Sequence, residues 1–213
     1  MAHVPPLPWR DPLEAFWPLR DEPFALLLPG AGAAARWTGL FGHPRDSRLF
    51  PAACEALCVA RDWLDQITPA LGPDGSPFRT GVAGVLGYDG GDSGDPALTG
   101  AGLYDLVLVF DHQERQVHLL ESPGADAGRR SALLSLLEVP PPPAAARGAG
   151  RMTDSEPREA FGLKVEAVRS RIACGEFYQA NISRRFEGQL GDGDHPFDLF
   201  RRLAGGSPAA FSA

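Results

Sequence analysis

Residues 103–122 read LYDLVLVFDHQERQVHLLES, two β-rich runs (103–110 and 117–122) on either side of the polar turn DHQERQ. Runs of Val, Leu, Phe and Tyr broken by a short polar stretch form an antiparallel hairpin. Upstream, FALLL (24–28) reads as a buried strand entering a Gly/Ala loop, and Arg36–Phe41 as a second strand ended by Gly42 and Pro44. The segment FRTGVAGVLGYDGG contains a further strand with Gly81, Ala83, Val85 and Gly87 along one face, so something must pack close against that nearly bare surface. Between these strands, 51–66 is a helix with Pro at its start and Cys54, Leu57, Cys58, Arg61 and Leu64 at helical spacing. Residues 126–138 form a short amphipathic helix. Hairpins and amphipathic helices thus alternate along the sequence.

The 213 residues are 44% hydrophobic, enough for a substantial core. A formal net charge of −7 argues against general binding to nucleic acid or to a membrane surface, both of them polyanionic. No run approaches about 18 consecutive apolar residues and the N-terminus lacks a basic, then apolar, leader, so the expected location is the cytoplasm. Cys54, Cys58 and Cys174 imply no disulfide framework; the first two, four apart on a helix, are expected to be small buried hydrophobes.

The stretch VPPPPAAARGAGR (139–151) is an extended spacer, and residues 140–151 are the expected linker between an N-terminal region, 1–139, and a second region, 152–213. After it Phe161, Val165, Val168 and Ile172 recur at helical spacing, with Thr153 or Ser155 available to cap the start and Gly175 to end the helix. EFYQANISRRFEG then alternates as a strand, Tyr178, Ala180, Ile182 and Phe186 on one face and Gln179, Asn181 and Ser183 on the other, as an edge or the wall of a polar pocket would. HPFDLFRRL is a short helix expected to bury Phe197, Phe200 and Leu203. GGSPAAFSA starts a new extended segment, so the sequence is expected to be truncated.

Two motif-like stretches have plainer readings. GDSGDP (91–96) lies one letter from a serine-protease string, but only His3, in a proline-rich N-terminus, and His43, in GHPRD, precede Ser93, and a triad rests on geometry that this spacing does not supply. A Gly/Asp/Ser/Pro loop accounts for it better. The Gly81, Gly84, Gly87 spacing lacks both the dinucleotide fingerprint and the lysine of a phosphate-binding loop.

FGLKVEAVRSRIACGEFYQANISRRF resembles the helix, Gly-acid and Tyr-Gln-x-Asn strand of chorismate-using enzymes, in particular the large subunit of aminodeoxychorismate synthase, component I. FRTGVAGVLGYDGG, LYDLVLVFDHQERQVHLL and SPAAFSA resemble segments of the same family in the same order, so the likeness runs over nearly all of residues 20–213. The anthranilate synthase large subunit is similar throughout; the Asn of YQAN favours the aminodeoxychorismate branch. The resemblance implies an α+β fold, two antiparallel sheets packed face to face with helices outside, incomplete in this chain, which agrees with hairpins alternating with helices. It also implies amination of chorismate with Mg²⁺ and with ammonia from a glutamine amidotransferase subunit. The family's lysine motif and metal-binding glutamates fall beyond residue 213, so no catalytic and no metal-binding residue is expected within the sequence. Lys164 sits outside that motif.

What the resemblance does place here is the family's tryptophan pocket, at Pro29, Ala34, Ala35, Arg36 and Trp37 and then at Ala210, Phe211 and Ser212. Pro29 stands where the family has a side chain able to bond an ammonium group, and proline offers none. Trp37 and Phe211 could instead simply fill the space between the sheets. Two other classes stay open: a non-catalytic amino-acid-binding or docking module, and a hydrolase using Ser93.

Overall fold

A computed structural model describes residues 5–30, 36–87, 99–140, 152–191 and 193–206. The chain divides into two compact units, one of residues 1–143 with 204–213 and the other of residues 144–203.

The first unit holds two antiparallel sheets. Strands β1 (Leu7–Pro8), β2 (Leu26–Pro29), β3 (Trp37–Phe41), β7 (Leu106–Asp111) and β8 (Gln116–Glu121) form one, in the order β1-β8-β7-β3-β2. Strands β4 (Asp46–Phe50), β5 (Gly81–Val85) and β6 (Thr99–Tyr104) form the other, in the order β4-β6-β5. Their facing sides meet in one apolar cluster, to which the larger sheet contributes Trp37, Phe41, Val107, Val109 and Leu120, and the smaller Tyr104 with Ala83 beside it. Helices cover the outer sides. α1 (Pro12–Phe16) and α3 (Ala127–Ser135) lie on the larger sheet, while α2 (Ala53–Leu64) packs Ala56, Val59 and Trp63 against Ala101, Leu103 and Val82 of the smaller. This is the expected α+β arrangement, helix, sheet, sheet, helix.

Glycines let the layers close. A Cβ on Gly39 of β3 would lie 2.8 Å from the Phe78 ring, and one on Gly102 of β6 would lie 2.7 Å from the Tyr104 hydroxyl. Aromatic rings therefore occupy the space that side chains would need. Gly84 meets something different. Its Cβ would come within 2.1 Å of the Gly100 carbonyl oxygen, so the close approach there is to the backbone of the neighbouring strand. The Tyr104 hydroxyl donates to the Phe24 carbonyl at 2.5 Å, and Phe24 adopts a left-handed φ of 61° that belongs to the turn into β2.

The expected hairpin is present as β7 and β8, in register Val109↔His118. Its first run is not one strand: Leu103 and Tyr104 belong to β6 in the smaller sheet, and the chain enters the larger sheet only after Asp105. Asp105 is buried and its carboxylate takes two hydrogen bonds from Arg129 of α3, at 2.5 and 2.7 Å. A carboxylate withdrawn from water at a corner between sheets needs such a partner. The ion pair in turn raises the affinity of the Arg129 guanidinium for its proton, chiefly through that hydrogen bond. Asp126 caps α3 by accepting from the Arg129 backbone N–H at 2.8 Å, so the cap and the ion pair fix one residue from two sides.

The cysteine expectation is corrected. Cys54 and Cys58 are exposed, as is Cys174. Trp63, set edge-on to Phe50 at 6.4 Å, takes the sheet side of α2 and turns Cys54, Leu57, Cys58 and Arg61 away from it, with Leu64 at the flank beside Gly81 of β5.

In the second unit α4 (Arg158–Ala173) is the long helix expected from the periodicity. Pro157 precedes it without a side-chain cap; the Thr153 hydroxyl donates to the Glu187 carbonyl instead. Gly175, at φ 77°, ends it: its N–H reaches the Ile172 carbonyl at 2.9 Å and the Glu176 N–H reaches Arg171 at 3.1 Å, the double bond of a Schellman turn. Phe161, Val165 and Val168 are half-buried and Ile172 is exposed. The strand expected over 176–188 is reduced to β10 (Phe186–Glu187), paired with β9 (Thr153–Asp154). Residues 177–185 lack a partner strand among the described residues, and alternation alone cannot satisfy a strand's N–H and C=O groups. The Arg184 guanidinium pairs with Asp154 and sits over the rings of Phe161 and Phe186 at 5.4 and 5.2 Å. α5 (Pro196–Gly206) follows, with Phe197 buried, Phe200 half-buried and Leu203 turned to solvent.

Candidate functional site

The β2–β3 pair and the β7–β8 turn bring polar side chains to one end of the larger sheet. Pro29 pairs with Thr38, and the Gly30 N–H reaches the Trp37 carbonyl at 2.7 Å, so Pro29, Arg36 and Trp37 lie together at that end. Of the tryptophan-pocket candidates, Ala34, Ala35, Ala210, Phe211 and Ser212 lie outside the described residues, as does Ser93.

Arg36 is fixed from two directions. Its carbonyl accepts from the His112 N–H at 2.9 Å, and its Nε donates to Asp111 Oδ1 at 2.7 Å while a second nitrogen bonds Oδ2, with Glu114 3.7 Å away. The guanidinium also lies 4.8 Å from the centre of the Trp37 ring. Asp111 closes β7 and is buried; besides Arg36 it accepts the N–H groups of Gln113 and Glu114 at 2.9 and 3.1 Å. The Arg36 hydrogen bond, helped by those two N–H groups and opposed by burial, pulls the Asp111 carboxyl down to about 2.

Next to this pair the His112 Nε2 lies 2.8 Å from the Thr38 hydroxyl, and the ring meets Trp9 edge-on at 5.3 Å. Burial lowers the proton affinity of His112, against the opposing pull of Asp11 and Asp111. Arg115, at a left-handed φ of 53°, places its guanidinium 4.4 Å from the Trp9 ring and completes the turn. The turn is thus a rigid electrostatic clasp. In it Asp111, held ionised, and Arg36 satisfy each other's charge.

Asp111 has a pH signature. Its proton affinity is lowered in the folded state relative to the ordinary carboxyl value of 3.8, so its stabilisation is complete above that value and is lost as pH falls through the range from 3.8 to about 2. In urea titrations across pH 5 to pH 2, Asp111→Asn should flatten the acid limb of the stability profile. An unchanged limb would show that the pair contributes nothing in solution.

Trp37 itself is 2% exposed and fills the space between the sheets, its ring tilted against that of His118 with centroids 6.3 Å apart. Gln179, Asn181 and Ser183 are exposed and lie in the segment of the second unit without regular structure. Lys164 is exposed on α4 and pairs with Glu156 at 2.5 Å. Asp111, Glu114 and Thr38 were not among the sequence candidates. The usable signal was Asp111 opening the turn DHQER, where Asp side chains bond backbone N–H groups two and three residues on.

Among the described residues no group of three or more His, Cys, Asp or Glu side chains could hold a metal ion. No helix among them is long and apolar enough to cross a membrane.

Comparison with known proteins gives consistent matches. Residues 48–213 match the model of the chorismate binding enzyme family. The chain is 30% identical to aminodeoxychorismate synthase component 1 of Salmonella typhimurium over 97% of its own length and 51% of that protein's. It is 28% identical to anthranilate synthase component 1 1 of Haloarcula marismortui over 95% of its length and 47% of that protein's. The crystal structure of anthranilate synthase component I from Streptococcus pneumoniae shares the fold with a TM-score of 0.59 at 19% identity, over 94% of this chain and 51% of that one. The chain thus spans about half the length of the curated relatives it matches.

Proposed function

The chain belongs to the chorismate binding enzymes, and from that membership we propose that it is the N-terminal portion of a component I subunit that aminates chorismate to 4-amino-4-deoxychorismate. The observation that carries this is the 30% identity to an aminodeoxychorismate synthase component 1 across 97% of the chain. The ammonia would come from a glutamine amidotransferase subunit, and Mg²⁺ would be held by residues other than those described. Residues 1–139 form the N-terminal region in this reading, 140–151 the linker and 152–213 the start of the chorismate-binding region. The Pro29, Arg36 and Trp37 end of the larger sheet, with Ala34, Ala35, Ala210, Phe211 and Ser212, is the place where a tryptophan would bind. Gln179, Asn181 and Ser183 would line a polar pocket. The cytoplasm is the proposed location.

Anthranilate as the product is a second reading with its own support: the solved structure sharing the fold is an anthranilate synthase component I, and the haloarchaeal likeness covers 95% of the chain. One assay separates the two. The whole gene product is supplied with chorismate, Mg²⁺ and ammonium, and the products are resolved by chromatography. Aminodeoxychorismate is expected; fluorescent anthranilate would replace the first reading with the second. Turnover of neither by a cooperatively folded protein would leave the amino-acid-binding or docking module.

A further inference from the structure

Cys54 and Cys58 stand one turn apart on α2, both exposed, on the side of the helix turned away from Ala56, Val59 and Trp63. Leu57 beside them is 59% exposed, and Arg61 lies one turn beyond Cys58 on the same side. Side chains four apart on a helix have Cβ atoms about 5–6 Å from each other. Two thiolate–metal bonds of about 2.3 Å each span sulfurs up to about 4.6 Å apart, a separation these side chains reach by rotation about Cα–Cβ alone. Thiolate is a soft ligand and selects soft ions. No third His, Cys, Asp or Glu gathers with the pair among the described residues, so a tetrahedral zinc site is not provided for.

We propose that Cys54 and Cys58 form a surface dithiol clamp for a single soft, monovalent cation of two-coordinate preference, of the cuprous class. On binding, both S–H bonds break, two protons leave to solvent and two sulfur–metal bonds form, with no change in oxidation state. The resulting bis-thiolate complex carries one net negative charge, and Arg61 supplies a positive neighbour. Closing the clamp also ties the first turn of α2 to the second, on the helix that covers the smaller sheet.

The test uses the whole protein with Cys174 and any cysteine outside residues 1–213 replaced by serine, and Ag⁺ as the probe, because Ag⁺ keeps its oxidation state. One Ag⁺ per chain is expected, with two protons released. Cys58→Ser or Cys54→Ser should weaken binding by on the order of 100-fold, the advantage of a second ligand already held in place. Amide exchange in the first two turns of α2 should slow when Ag⁺ is added and stay unchanged in either serine variant. Both side chains are exposed, so an unaltered urea midpoint without Ag⁺ will show that the variants keep the fold. Two Ag⁺ ions bound independently per chain, or equal affinity in the single-serine variants, would overturn the clamp.

Discussion

Arg129→Met should lower the unfolding free energy by about 3–5 kcal/mol, the usual cost of leaving one member of a buried ion pair without its partner. Asp105 is 2% exposed and its two carboxylate oxygens both depend on Arg129. The methionine keeps most of the stem's packing, so the loss reports the stranded charge and not a cavity. Adding Asp105→Asn should recover a large part of it, because the charge that lost its partner is then gone; the two changes should be strongly non-additive, with a coupling of about 2 kcal/mol. Urea denaturation of the four proteins of the cycle measures this. A single-variant loss below about 1 kcal/mol would mean that water reaches the corner and solvates Asp105.

Trp37→Ala is expected to cost a similar amount, about 3–5 kcal/mol, for a different reason. Its indole packs among Phe41, Tyr104, Val107, Val109 and Leu120, residues of both sheets, and its removal leaves a void that neither sheet can close alone. The urea midpoint should fall with its slope unchanged. The same variant addresses the tryptophan-pocket reading. A residue that serves a ligand would lose tryptophan affinity with little change in stability, whereas a core residue loses stability first.

Where side-chain period and strong turn chemistry agreed, the elements were legible: β2, β3, α2, α3, the turn joining β7 to β8 and the Gly175 stop of α4 all lie where the sequence puts them. What failed needed knowledge of partners. The alternation of residues 176–188 is a strand pattern, but strands are made by neighbours, and only Phe186–Glu187 has one among the described residues. The face of α2 was misread because Cys54, Leu57 and Leu64 have the right spacing, while one large aromatic, Trp63, outweighs them in deciding which side is buried. The same holds at the candidate site. Arg36 and Trp37 were named from a resemblance, but the partner that fixes Arg36 is 75 residues away, a separation no local pattern reveals.

The corner at Asp105 also sets a rule of phase for the chain. Tyr104 looks into the space between the sheets, and so do Val107 and Val109, whereas an unbroken strand would have sent Leu106 and Leu108 there. The in–out rhythm of the chain thus shifts by one residue where it passes from one sheet to the other, and Asp105 is that beat. A single inserted or deleted residue at this point would restore the beat and turn one sheet's apolar face outward. A change of two residues would leave the rhythm on each side intact, so length variation at this corner should come in even steps.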